Sequence, residues 1–328
     1  MSIEKQKIVI TNRLNYQKSF TLFFVHLFME SFMPSLQDII NSTLSNQDVI
    51  AKQPNIGALR ITGPDARKFL QGQTTCDINA LSADSGLYGA ICNIKGRIIT
   101  NFYLVQCNED ILMLMTKDLV KKTLLHLKKY AVFFKTELMD AKDDFTVYTK
   151  LSSSNTESAH LSTTKEDETI ALTVCHTPLK VEWLITNSVI EEEKAQLVAL
   201  SLLAARPVIT LEQSETTLPQ WLNMQSTGGI SFTKGCYTGQ EIVARMQYKG
   251  KSKKQLGLIT WEGNSDITKE LVDDQGKSVG QIFATSQISN THFAQVILSI
   301  DPSETKQLLL GNKEVTLLPL PYSLNNKK

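Results

Sequence analysis

The chain has 328 residues, 42% of them hydrophobic, so it can bury real cores and is long enough for two or three domains. Its 34 Lys and Arg nearly balance 33 Asp and Glu, which excludes a global field drawing it to nucleic acid or to an acidic membrane and leaves only local attraction. The cysteines Cys76, Cys92, Cys107, Cys175 and Cys236 are odd in number and never spaced C-x-x-C. That pattern argues against a disulfide framework and against a zinc or cluster quartet, so no metal site is expected and a reducing, cytoplasmic compartment fits.

Residues 1–32 read as an N-terminal extension. The apolar run 19–33 is interrupted by His26 and Glu30 and is short for a bilayer, and no small-residue cleavage site follows it, so neither a membrane span nor a secretory signal is expected. The stretch from Met33, MPSLQDIINSTL, reads like a natural beginning and a short amphipathic helix. Residues 56–63 alternate as a strand, and 64–73 read as a helix opened by Pro64 and closed near Gly72. Residues 87–94 and 97–106 flank a Lys95-Gly96 turn and predict a hairpin, with a third strand at 110–116. Residues 117–130 have helical apolar spacing with lysines on the other face.

A second block opens near residue 144, passes a polar loop at 152–168, and resumes with strands at 169–176 and 181–187. Residues 191–207 predict a helix with acids in its first turn that stops at Pro207. Residues 210–233 look irregular, and long irregular segments tend to be functional. Beyond Lys251, short strands with regular turns predict a small closed β-domain. The fold class is α+β, with a first α+β domain over 33–143, a second over 144–250 and the β-domain over 251–328.

The stretch KGCYTGQE, 234–241, carries the chemistry. Gly235 and Gly239 frame Cys236, Tyr237 and Thr238, so the backbone can turn sharply or approach a ligand. Residues 240–247 can run as helical turns with Glu241 in the first turn and Arg245 four residues on, able to pair with it. A thiol beside that N-terminus and beside Lys234 would be activated if it faces them; otherwise it is a small buried hydrophobe. Arg245, Lys249, Lys251, Lys253 and Lys254 gather positive charge next to Tyr237 and Tyr248. Such a run holds a phosphate backbone or a polyglutamyl tail, or simply guards a strand edge.

The segments LQGQTTCDI (70–78), CNIKGRIITNFYL (92–104), RPVI (206–209), the run 228–256 and DDQGKSVGQI (273–282) resemble, in order, the YgfZ-type folate-binding proteins, relatives of the glycine-cleavage aminomethyltransferase or T-protein. The resemblance implies two ferredoxin-like α+β domains and a C-terminal β-barrel around a central cavity, binding of tetrahydrofolate, and support of iron–sulfur enzymes, notably the radical enzymes that thiomethylate tRNA. Under it, Cys236 is the redox or contact cysteine, and Lys234, Tyr237, Gly239, Gln240, Glu241, Arg245, Asn101 and Arg206 line the cofactor. Aminomethyltransferases carry a pair of aspartates where this chain has Thr100 and Asn101, neither of which can serve as a carboxylate base. Relatives place a glutamate where this chain has Leu203, which leaves the donors of a pterin unanswered. The reading is therefore a folate-binding protein that supports iron–sulfur assembly or repair and tRNA modification rather than a classical enzyme. Two alternatives stay open: a folate-dependent one-carbon transferase, and a tRNA-binding module working through the 245–254 cluster.

Overall fold

In a computed structural model, residues 36–44, 47–153, 160–248, 252–263, 268–300 and 307–324 are described. The expected extension 1–32 lies outside them. The chain divides into two compact units, 1–43 and 44–328. The first contributes most of helix α1 (Leu36–Leu44), where amphipathic spacing predicts one. All that follows concerns the second.

Two five-stranded antiparallel sheets and a closed barrel make up this unit. The first sheet contains β2 (Ile56–Thr62), β3 (Leu87–Cys92), β4 (Ile98–Cys107), β5 (Asp110–Thr116) and β6 (Glu137–Asp140), in the order β3-β4-β5-β2-β6. Helix α2 (Ala66–Gln71) follows β2. Helix α3 (Lys117–Ala131) packs on β2, β4, β5 and β6 through Leu119, Val120, Thr123 and Leu127, leaving its lysines outward. Strand β4 is buried from Ile98 to Val105, so its two central polar residues, Thr100 and Asn101, must find partners inside the protein.

The second sheet runs β1-β7-β10-β9-β8, from β1 (Val49–Lys52), β7 (Thr146–Ser152), β8 (Thr163–Glu166), β9 (Thr169–Cys175) and β10 (Lys180–Thr186). Its edge strand β1 comes from early in the chain, pairing Val49 with Leu151. The polar stretch read as a loop at 152–168 contains β8, which zips onto β9 from Thr163 to Glu166; residues 154–159 are outside the described set. The segment read as an α-helix at 191–207 is instead a 3₁₀ helix over Ala195–Ala204. Its buried leucines, Leu197, Leu200 and Leu203, recur every three residues, the period of the tighter helix. The acids before it do not cap it: Glu193 bridges Ile50, and the Glu192 carboxylate accepts from the Lys52 amide.

The barrel closes β11-β14-β13-β12-β15-β16, formed by β11 (Gln255–Glu262), β12 (Glu270–Asp273), β13 (Ser278–Ile288), β14 (Thr291–Leu298), β15 (Leu308–Leu310) and β16 (Lys313–Leu318). Alternate residues fill it, among them Ile259 and Trp261 from β11 and Ala294, Val296 and Leu298 from β14. Among the described residues no helix is long and apolar enough to cross a membrane.

Candidate functional site

The hairpin of β3 and β4 sets the stage. The Asn93 side-chain oxygen accepts from the amides of Lys95 and Arg97, and Gly96 takes φ +69°, so the tip folds into a tight turn. Gly239 (φ +84°) lies directly on this turn: a Cβ there would sit 2.4 Å from the Asn93 carbonyl oxygen. From that seat helix α4 (Gln240–Tyr248) begins. Gly239 thus serves a close backbone approach between the motif and the hairpin, and Gln240 is half-buried beside it.

Upstream of Gly239, Lys234 and Tyr237 turn inward on either side of an exposed stretch. Lys234 is 9% exposed and its ammonium donates to three carbonyls, those of Gln71 (2.7 Å), Thr74 (2.7 Å) and Cys76 (2.8 Å). Burial draws the lysine's pKa below its ordinary value. All three of its donors are engaged by the segment 71–76, which pins the loop. Tyr237 is buried too, its ring 5.3 Å from the Lys234 ammonium, and desolvation pushes its phenol well above the usual range. Between these anchors Cys236 is exposed, whereas Cys76, Cys92 and Cys175 are buried and Cys107 is half-buried. Burial raises the Cys76 thiol to about 11 and the Cys92 thiol to about 12, which disfavours the reactive thiolate of each at neutral pH. Glu241 and Arg245 are both exposed on α4 and form no ion pair with each other, contrary to the expected helical pairing; an exposed pair gains little over separate solvation.

Asn101 and Arg206 belong to a separate group. Asn101 is fully buried; its amide donates to the Tyr88 hydroxyl (2.9 Å) and the Pro207 carbonyl (2.7 Å), and its oxygen accepts from the Ile209 amide (2.8 Å). With both amide donors used and its oxygen accepting one bond, it staples the 206–209 segment to β4. Thr100 is equally buried and bonds locally. Arg206 is different. Its guanidinium lies 5.2 Å over the Tyr322 ring, its Nε is buried without a hydrogen-bond partner, and no carboxylate among the described residues pairs with it.

The surroundings of Arg206 are aromatic and basic. Tyr88 and Tyr103 stack at 4.9 Å, Trp183 meets Tyr103 edge-on at 4.9 Å, and His160 lies against His176 at 6.4 Å. Desolvation first, then the nearby Arg206 charge, lowers the His160 pKa to about 4. A guanidinium without a counter-charge among flat rings can answer an anion attached to a planar heterocycle. Leu203 is completely buried and offers such a ring no acceptor. Sequence reasoning passed over Tyr88, Tyr103, Trp183, Tyr322 and His160. The hairpin register was the available signal for the first two, because Tyr88 and Tyr103 are direct cross-strand partners.

Of the basic run, Lys249 and Lys251 lie outside the described residues, and Arg245 and Lys253 are exposed. Lys254 instead places its ammonium 4.4 Å over the Trp221 ring. Among the described residues no cluster of three or more His, Cys, Asp or Glu side chains could hold a metal ion.

No protein-family model matches the chain. It is 31% identical over 303 residues to the tRNA-modifying protein YgfZ of Photorhabdus laumondii, covering 83% of this chain and 92% of that protein. It is 32% identical to the protein of the same name from Photobacterium profundum, covering 83% and 90%. Among solved structures, the glycine cleavage system aminomethyltransferase T of Bartonella henselae superposes with a TM-score of 0.61 at 13% identity, covering 88% of this chain and 91% of that one. This last likeness establishes the shared fold: two sheets and a barrel.

Proposed function

The chain belongs to the family of the tRNA-modifying protein YgfZ, and on that premise we propose that it acts in tRNA modification as a cytoplasmic folate-binding protein that sustains iron–sulfur enzymes. In this reading a reduced folate such as tetrahydrofolate lies beside Arg206 and the partly exposed Tyr322 ring, and the guanidinium answers a carboxylate of its glutamate. The folate would supply a tetrahydropterin, a heterocycle that can give up electrons. Arg206 orients it, and Gln240, Glu241 and Arg245 stand near the thiol for the client side of the work. The clients are iron–sulfur proteins, among them the radical enzymes that thiomethylate tRNA.

One observation carries the reading. Cys236 is the exposed cysteine of the five, held outward by a lysine and a tyrosine turned inward on either side of it. Aminomethyl transfer would need a base where Asn101 spends its amide on Tyr88 and Pro207, so the transferase reading has no support at that position. The test is complementation of a strain lacking tRNA thiomethylation, run beside a folate titration. Cys236→Ser is expected to fold, to bind folate and to fail in complementation, while Arg206→Met loses folate. Full complementation by Cys236→Ser would overturn the role of the thiol, and unchanged folate affinity in Arg206→Met would overturn the assigned site.

A further inference from the structure

A cleft of about 980 Å³ lies between β13 of the barrel and the 212–217 segment, and none of the residues discussed at the thiol or around Arg206 lines it. At one end stands Trp221. The Arg97 guanidinium sits 4.9 Å from its ring and the Lys254 ammonium 4.4 Å, and neither cation pairs with a carboxylate among the described residues. Arg97 is fixed by its bond to the Thr216 carbonyl, whereas Lys254 rests on the ring with a free ammonium. Along the walls, Gln281 and Thr285 present exposed neutral amide and hydroxyl groups, while the hydroxyls of Thr216 and the buried Thr217 donate to the Gln213 carbonyl. The carboxylates that reach the cleft, Glu212 and Glu270, are on exposed residues.

This composition selects among anions. The cations here are Arg97 and Lys254 beside one indole and the exposed Lys269 on the wall; a polycarboxylate needs one at every residue, and three do not line the length of the cleft. A single strand of RNA alternates one phosphate charge with one flat, hydrogen-bonding base, and the cleft alternates in the same way: cation, indole, then neutral donors and acceptors. We propose that this cleft holds an unpaired RNA segment, with a base on Trp221, its phosphates on Arg97 and Lys254, and base edges read by the threonine and glutamine side chains. Lys254 leaves the ring for a phosphate, and the face it vacates takes the base. The assignment of RNA rests on the reading of the protein as one that serves tRNA modification.

The test is fluorescence anisotropy of a labelled, unstructured oligouridylate with the full-length protein, run beside a folate titration of the same sample. Saturable binding is expected. Trp221→Leu should weaken it by about tenfold or more, and Lys254→Gln should reduce the slope of log affinity against log salt by about 0.7. Lys68→Gln, on an exposed residue of α2, should change neither. Where Trp221→Leu does not fold, Trp221→Phe takes its place and should retain binding, with Lys254→Gln carrying the test. Absence of binding, equal binding of duplex RNA, equal competition by poly-glutamate, or an equal effect of Lys68→Gln would each overturn the assignment. A sample that binds folate but not the oligonucleotide refutes the cleft alone; one that binds the oligonucleotide but not folate refutes the cofactor reading alone.

Discussion

Replacing Lys234 by methionine tests whether the thiol loop is pinned from within. The ammonium makes three hydrogen bonds of 2.7 to 2.8 Å to the carbonyls of Gln71, Thr74 and Cys76, across some 160 residues of chain. Bonds to a charged donor contribute about 1.5–3 kcal/mol each before desolvation of the ammonium is charged against them. Methionine keeps the stem and its packing but removes the donors. The Cys76 carbonyl retains the Thr74 hydroxyl at 3.3 Å, while those of Gln71 and Thr74 lose their charged partner. Two poorly satisfied carbonyls put the loss at about 2–4 kcal/mol. Lys234→Arg should not rescue it, because a planar fork cannot serve three carbonyls converging on one point. Urea unfolding read by circular dichroism gives the magnitude, and the rate of Cys236 with a thiol reagent reports the loop. A loss below about 1 kcal/mol with an unchanged thiol rate would refute the anchoring role.

Four further outcomes are expected. In native protein one thiol should react rapidly with a disulfide reagent and Cys236→Ser should remove that phase, since burial holds Cys76 at about 11 and Cys92 at about 12; a fast phase surviving in that variant would contradict the exposure. His160, lowered from 6.5 to about 4, contributes stability that is complete above 6.5 and lost as pH falls through the folded value. The difference is worth about 3 kcal/mol, so His160→Gln should flatten the fall in thermal midpoint between those pH values, and an unchanged pH profile would show that the imidazole is not desolvated. Asn101→Asp should cost about 2–4 kcal/mol, because a carboxylate would face the Pro207 carbonyl it now donates to, and should confer no aminomethyl transfer; a gain of transfer activity would revive the transferase reading. Gly239→Ala should cost about 2 kcal/mol or more, from its positive φ and from the overlap with the Asn93 carbonyl, measured by the shift of the urea midpoint.

What the sequence disclosed was local. Alternation announced the barrel strands, and the Lys95-Gly96 turn announced the hairpin, because both signals lie within a few residues of the structure they cause. The direction of Lys234 was not readable, since its acceptors are the far ends of a segment some 160 residues earlier. A lysine beside a cysteine suggests thiol activation, and only the tertiary contacts reveal that its charge is directed elsewhere. The helix expected at 191–207 failed for a different reason. Acids before an apolar run look like a first turn, yet Glu192 and Glu193 are claimed by β1, and leucines three apart then favour the 3₁₀ repeat. The ring cluster at Arg206 gathers residues from 88 to 322, a spread that no window can collect.

The thiol loop and the Arg206 cluster are joined by contacts that leave little freedom. Thr75 accepts from the Ala90 amide (2.9 Å) and donates to the Gly229 carbonyl (2.6 Å), while its own carbonyl receives the Ser231 amide (2.8 Å). Gly229 lies against Tyr88, where a Cβ would come within 3.0 Å of the ring, and the Tyr88 hydroxyl donates to the Pro207 carbonyl beside Arg206. Lys234 grips the carbonyls on either side of Thr75. A relay would require a link with two alternative arrangements, and here each link is saturated with hydrogen bonds or closed by packing. The connection is therefore a brace: it holds the sulfur at a set position relative to the ring cluster, and Asn101 is one of its struts.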